Sequence, residues 1–160
     1  MQWNIPTSIA VLSLLFLSGG AAPTAYDAIQ SYGFPIGILP KGVTHYDLDD
    51  STGKFNAYIN GSCSFSLEGS YQLNYNSVIS GYIRKDKLTN LSGVQVKVLF
   101  VWLSIVEVRR NGDKLEFSVG IASAGFAIDN FVVCPQCGCG LDCNGFDGED
   151  LTSDSLVSSI

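Results

Sequence analysis

The sequence predicts a mainly β protein, a small closed antiparallel β-barrel with one short N-terminal α-helix. Three observations predict it. From Val43 onward, apolar residues recur with a period of two. Turn-forming pairs such as Asn60-Gly61 and Asn111-Gly112 punctuate the apolar runs. Helical spacing is confined to one stretch, Thr24 to Phe34. Many short strands with little helix make a barrel or a sandwich, and a barrel is favoured because closure removes exposed strand edges.

Taken in order, the chain opens on MQWNIPTSIAVLSLLFLSGGAAPTAYD. Ile9 to Leu17 is apolar apart from Ser13, and small residues follow through Ala22. This is the layout of a secretory signal peptide over residues 1–22, although no Lys or Arg precedes the apolar run. The run is too short to span a bilayer, which takes roughly 20 apolar residues. A β-barrel domain is expected over 23–140 and an acidic disordered tail over 141–160. The mature chain is then expected outside the cell, in the apoplast, reached through the endoplasmic reticulum and without a transmembrane span.

In TAYDAIQSYGF, Thr24 can cap a helix whose apolar face holds Tyr26 and Ile29, and Pro35 ends it. FPIGILPKGV is an apolar loop. It should lie against the core or line an opening, because a free loop would be more polar. Phe55, Ala57 and Ile59 then alternate with polar residues, as do Cys63, Phe65 and Leu67. A three-residue loop, Asn60 to Ser62, would join these as a hairpin and put all six on one face. YQLNY, SVISGYI and KLTNL read as shorter strands. VQVKVLFVWLSIVEV, residues 94–108, reads as one strand that becomes apolar on both faces, so its second face needs a cover. In VEVRRNGDKLEFSV, Asn111-Gly112 predicts a type I′ turn, with Val108 opposite Leu115, Val106 opposite Phe117 and Arg110 opposite Asp113.

Charge and cysteines limit the chemistry. Five acids of the tail, Asp142, Asp147, Glu149, Asp150 and Asp154, account for all but one unit of the −6 net charge. The folded part is nearly neutral and has no basic face for nucleic acid. Arg84, Lys85 and Lys87 read as a solvated turn, with a phosphate or anionic-lipid contact as the alternative. CPQCGCGLDC holds Cys134, Cys137, Cys139 and Cys143, and Cys63 stands alone. In an oxidising compartment this set favours disulfides over zinc, because it has one cluster, no second knuckle and no nearby histidine. The preferred scheme ties Cys63 to one cluster cysteine and closes a second bridge inside the cluster, leaving one thiol free. Sequons at Asn60 and Asn90 are glycan candidates.

Several segments, SYGFPIGILPKGV, YDLDDSTGKF, NGSCSF, YQLNYNSVISGYI through VKVLFVWLSIVEV, and LEFSVGIASAGFAIDNF before CPQC, occur in order. Together they resemble the plant domain-of-unknown-function family 538 over roughly residues 24–140. The resemblance implies a small closed β-barrel with a helix packed on it. It also implies lipid binding, by likeness to bactericidal/permeability-increasing proteins, or hydrolysis of a chlorophyll ester. It carries no catalytic motif.

Enzyme signatures are thin. The nearest approach to a nucleophile elbow, around Ser123, has the wrong spacing. His45, the only histidine, reads as an exposed strand residue, and Asp47, Asp49 and Asp50 read as turn formers, with Asp50 suited to an Asx-turn. No phosphate loop, dinucleotide fingerprint or metal motif occurs, so no cofactor or metal is expected. The leading function is binding of a lipid or other hydrophobic small molecule by a monomer, through Phe34, Ile36, Ile38, Leu39, Leu99, Val101 and Leu103. The alternatives are an ester hydrolase using His45, and an extracellular interaction protein with a filled core.

Overall fold

Thr24 opens the first element as the sequence predicts. Its hydroxyl accepts the Asp27 N–H at 3.2 Å, and the Asp27 carboxylate accepts the Thr24 N–H at 2.8 Å. This reciprocal capping box satisfies two orphan donors at the start of α1, Ala25–Ser31. The helix buries Ala25, Ala28 and Ile29. The computed structural model describes residues 19–67 and 71–143. The apolar run Ile9–Leu17 and the tail beyond Cys143 lie outside the described residues.

Nine strands follow among the described residues: β1 Val43–Leu48, β2 Lys54–Ile59, β3 Cys63–Leu67, β4 Tyr71–Arg84, β5 Lys87–Val98, β6 Val101–Ser104, β7 Glu107–Asn111, β8 Lys114–Ser118 and β9 Ser123–Ala127. Single 3-10 turns at Ile36–Ile38 and Ile128–Phe131 flank the sheet. All ladders are antiparallel. The pairing order is β1-β2-β4-β5-β7-β8-β9, with β3 added on β4 and β6 on β5. β1 and β9 end this order, and no ladder joins them among the described residues. The fold is thus an antiparallel sheet with one short helix, and the closing ladder expected of a barrel is not formed.

The β4–β5 hairpin is the spine. The sequence breaks it into shorter strands, yet Tyr71–Arg84 is one strand of 14 residues. β2 pairs with one half of it, Tyr58 opposite Val78, and β3 with the other, Cys63 opposite Tyr75. The expected β2–β3 hairpin is therefore absent. The two strands run the same way along β4, joined through Asn60–Ser62. The shared face survives this correction: Phe55, Ala57, Ile59, Cys63 and Phe65 are all buried. Alternation reports which face a side chain takes, and both pairings satisfy it equally.

The β7–β8 register also differs from expectation. Val108 lies opposite Phe117, Arg110 opposite Leu115, and Asn111 opposite Lys114. The two-residue turn is Gly112-Asp113 rather than Asn111-Gly112. The expected register would set Glu107 against Glu116 and Arg109 against Lys114. The observed one sets Arg109 against Glu116, which replaces like-charge pairs with an opposite-charge pair.

Residues 94–108 do not form one strand. Val98 lies opposite Val101, so the chain reverses at Leu99-Phe100 and returns as β6. Beyond it, Ile105 donates to the Val94 carbonyl at 3.0 Å, and Leu91 donates to Val106 at 2.9 Å. No second apolar face is left to cover along its length, because the reversal sets Val101, Leu103 and Ile105 opposite Val98, Val96 and Val94 and so gathers both apolar sets on one face.

One core sits between the sheet's inner face, α1 and the Phe34–Leu39 loop. Ile29, Phe34, Phe55, Ile79, Ile83 and Leu115 are its largest fully buried members. The segment after β9 packs along it. Gly37 lies so near this segment that a Cβ would overlap the carbonyls of Phe131 and Val133. Lys41 donates to the Pro135 carbonyl at 2.8 Å, and Gly138 donates to Ser64 on β3 at 2.7 Å. No helix among the described residues is long and apolar enough to cross a membrane.

Candidate functional site

The residues expected to line one apolar opening fall into two groups. Phe34, Ile38 and Leu39 are buried and belong to the core cluster. The Ile38 carbonyl accepts the buried Tyr75 hydroxyl at 3.0 Å, and the Ile36 carbonyl accepts the Cys134 thiol at 3.4 Å. Ile36 itself is half-buried. This loop is packing, held by a capped helix on one side and the cysteine segment on the other. Leu99, Val101 and Leu103 lie elsewhere, on the β5–β6 hairpin, outside the core cluster and the residues packed against it.

That hairpin holds the longest run of exposed large apolar residues among the described residues. Leu99 is 85% exposed and Phe100 is 93% exposed. Val98, Val101 and Trp102 are exposed beside them, and Leu103 is half-buried. Lys97 lies opposite Trp102, its ammonium 5.9 Å from the indole ring centroid, a cation–π contact at the base of the tip. Five consecutive exposed apolar residues on a tight turn are costly in water, since burying a Leu or Phe side chain is worth about 1.5–3 kcal/mol. By period alone, Phe100 and Trp102 share one face with Val94, Val96 and Val98. Their signal was the unbroken run VLFVW with no polar partner face.

The opposite end of the same spine is basic. Arg84 and Lys87 pair across the Lys85-Asp86 turn, and Arg84 donates to the Thr52 carbonyl at 3.4 Å. All three cations there are exposed, as a solvated turn requires.

A groove of about 760 Å³ runs between α1 and the β1–β2 hairpin, lined by Tyr46, Lys54, Asn56 and the carboxylates of Asp27, Asp47, Asp49 and Asp50. Each carboxylate is already engaged. Asp27 caps α1, and its hydrogen bonds from the Thr24 N–H and hydroxyl hold it below the usual range. Asp49 accepts the Ser51 hydroxyl at 2.6 Å, the Ser51 N–H at 2.9 Å and the Thr52 N–H at 3.3 Å. These bonds, Ser51's hydroxyl foremost, also hold it low. The Asx-turn is therefore made by Asp49, one residue before the expected Asp50. Asp47 accepts the Tyr58 hydroxyl at 2.7 Å. His45 stacks on Tyr58 at 4.2 Å and is 3.1 Å from the Thr44 hydroxyl. Ser123 pairs with Ser118 on β8, at the other end of the strand order. The acidic rim of the groove is thus taken up by the protein's own hydrogen bonds. Among the described residues, no three His, Cys, Asp or Glu side chains converge to hold a metal.

The cysteines form one long and one local bridge. Cys63 is joined to Cys137, 74 residues away, and Cys139 to Cys143. Cys134 is free and buried, and burial raises its thiol above the ordinary value against the weaker opposing pull of Lys41. A thiol held protonated is a poor nucleophile. The motif thus ties the last segment to β3. The two bridges fit an oxidising compartment. Asn60 and Asn90 are both exposed.

With the fold in place, comparison with known proteins gives a family. Residues 25–132 match a family described as proteins of unknown function, DUF538. The chain belongs to that family. The match starts at the first residue of α1 and ends just after the second 3-10 turn, so the family covers the helix and all nine strands but not the cysteine cluster. The chain is also similar to an uncharacterised protein of Arabidopsis thaliana, At5g01610, at 28% identity over 95 residues, 59% of this chain. The matched region is 55% of that protein's length. Neither family nor relative carries a described activity, so any function rests on this chain's own surface.

Proposed function

We propose that this protein is a secreted module that binds a lipid or other hydrophobic molecule through the β5–β6 tip. The observation that carries the reading is the exposure of Val98 to Trp102 as one contiguous apolar strip. Covering Leu99 and Phe100 alone is worth about 4 kcal/mol, or roughly a thousandfold in partitioning. The core supplies no rival, since Phe34, Ile38 and Leu39 are spent on packing. Secretion is supported by the two disulfides, the leader pattern of residues 1–22 and the exposed sequons Asn60 and Asn90. The wall of the barrel is completed, in this reading, by the segment from Ile128 to Gly140 bridging the β7–β8 turn at Asp113, the Phe34–Leu39 loop and β3 in place of a closing ladder.

The test is retention of a fluorescent long-chain fatty acid, or of phosphatidylcholine, by purified protein. Wild type should retain it, and the double variant Leu99→Asp, Phe100→Asp should lose it while keeping its far-ultraviolet circular dichroism. Failure of the wild type to retain any apolar ligand in any aggregated or monomeric form would overturn the reading.

A further inference from the structure

Leu99 sits where a tight turn asks for glycine. Three hairpins of this sheet reverse through two-residue loops: Lys85-Asp86, whose second central residue has positive φ, Leu99-Phe100 between Val98 and Val101, and Gly112-Asp113 between Asn111 and Lys114. In the last two, the first central residue has positive φ, 58° at Leu99 and 62° at Gly112, and the second does not. That is the arrangement of a type II′ turn, whose first central position favours glycine. The chain fills it with glycine at 112, an ordinary choice. At 99 it carries a leucine that is strained in backbone and exposed to water. Both features oppose the fold, and strain of this kind collects at functional positions.

We infer that the β5–β6 tip inserts into the surface of an electrically neutral lipid bilayer. The inference rests on the hydrophobic-binding reading above and names its target. Three further observations select a bilayer over a soluble ligand or a charged surface.

The first is shape. A small-molecule site is a concavity that wraps its ligand. Leu99 and Phe100 are instead the two central residues of a projecting turn, whereas the groove between α1 and β1–β2 is edged by the carboxylates of Asp27, Asp47, Asp49 and Asp50. A convex apolar point suits a solvent that can close around it.

The second is depth. Lys97 and Trp102 lie two residues back from Leu99 and Phe100, roughly 7 Å along the strands. The headgroup layer on each side of a bilayer is about 5–7 Å thick. Leu99 and Phe100 would therefore reach the hydrocarbon while Trp102 and Lys97 stop among the headgroups. An indole and a lysine are the side chains suited to that level, each with an apolar body and a polar end.

The third is charge. The cross-strand neighbours next along the hairpin, Gln95 and Ser104, are uncharged, as is Gln72 opposite Lys97. The basic residues Arg84, Lys85 and Lys87 are at the far end of the β4–β5 spine. A chain of net charge −6 with one lysine at its tip gains little from an anionic leaflet. Its binding should be driven by apolar burial and be nearly indifferent to salt.

Trp102 supplies the probe. The chain has two tryptophans, Trp3 and Trp102, so Trp3→Phe leaves Trp102 alone. The full chain carrying Trp3→Phe, expressed in a secreting eukaryotic host, would be mixed with phosphatidylcholine vesicles whose acyl chains carry bromine at defined depths. The expected result has four parts: co-flotation, a blue shift of Trp102, quenching strongest for bromine nearest the headgroups, and little change between low and physiological salt. Adding Leu99→Asp and Phe100→Asp should weaken binding at least roughly tenfold. Several results would overturn the inference. One is retention of monomeric dihexanoyl phosphatidylcholine without vesicle binding, which leaves the hydrophobic-binding reading standing. Others are binding that requires phosphatidylserine and is lost in salt, vesicle binding undiminished by the Asp substitutions, or a tip-dependent dimer that ignores vesicles. Binding neither vesicles nor monomeric lipid sinks this inference and the broader reading together.

Discussion

Leu99 and Gly112 occupy equivalent positions in two turns of the same sheet, with φ of 58° and 62°. The pair separates what the fold wants from what the surface carries. A left-handed conformation costs a side chain with a Cβ roughly 1–2 kcal/mol, and glycine avoids it.

Leu99→Gly should therefore keep or raise stability, by up to about 1 kcal/mol, after allowing for the extra freedom glycine gives the unfolded chain. The same variant should bind phosphatidylcholine vesicles more weakly than wild type. Urea unfolding midpoints and vesicle flotation measure the two effects. The reciprocal change, Gly112→Leu, should destabilise by about 1 kcal/mol without conferring stronger binding on its own.

The bridge between Cys63 and Cys137 closes a long loop and should dominate the oxidised chain's stability. In the chain-entropy account, losing it costs about 4 kcal/mol, against about 2 kcal/mol for the short Cys139–Cys143 loop. Cys63→Ser paired with Cys137→Ser should lower the denaturation midpoint clearly more than Cys139→Ser paired with Cys143→Ser. Native thiol titration of wild type should be slow, because Cys134 is buried and held protonated, and should become complete in denaturant.

Tyr75 gives the alkaline limb of stability. Burial raises its hydroxyl well above the ordinary tyrosine value, with Cys134 adding to the effect. The unfolded chain then ionises first as pH climbs. The stabilisation is complete below the unfolded tyrosine value, about 10, and is lost as pH rises toward the higher folded value. Tyr75→Phe should flatten that alkaline loss. It should also cost about 1–2 kcal/mol at neutral pH, by leaving the Ile38 carbonyl without its buried donor. Tyr26 and Cys134 are raised in the same direction, so a residual alkaline slope is expected. Guanidinium unfolding between pH 7 and 11 measures it.

His45 separates binding from hydrolysis. It is exposed, stacked on Tyr58 and beside the Thr44 hydroxyl. His45→Ala should leave lipid retention unchanged and lower stability by less than about 1 kcal/mol. Loss of an esterase activity of the purified protein in this variant would support the hydrolytic alternative instead.

Much of the local structure was legible. Thr24 and Asp27 announce the helix start, because capping is settled by residues three apart. The buried set Phe55, Ala57, Ile59, Cys63 and Phe65 follows from alternation alone. The tip was half legible. Leu99, Val101 and Leu103 stood out as surplus apolar residues, but Phe100 and Trp102 were hidden in the opposite phase of the period. The turn itself was invisible, because Leu99-Phe100 contains none of the residues that mark turns. Phe34, Ile38 and Leu39 belong to the core cluster, and an apolar loop over a core and an apolar loop over a ligand read alike in sequence.

The sequence by itself determined the faces of β2 and β3, the capped helix and the mainly antiparallel class, and it favoured one long and one local disulfide. Each of these depends on neighbours within a few residues or on residue count. Only the tertiary structure decided that β2 and β3 share β4, that residues 94–108 reverse at Leu99, that Cys137 is the partner of Cys63, and that the order ends open at β1 and β9. Those choices are made between distant segments with equal local preference. They are settled by which arrangement buries the common face while pairing the most backbone, and that comparison exists only once the whole chain is folded.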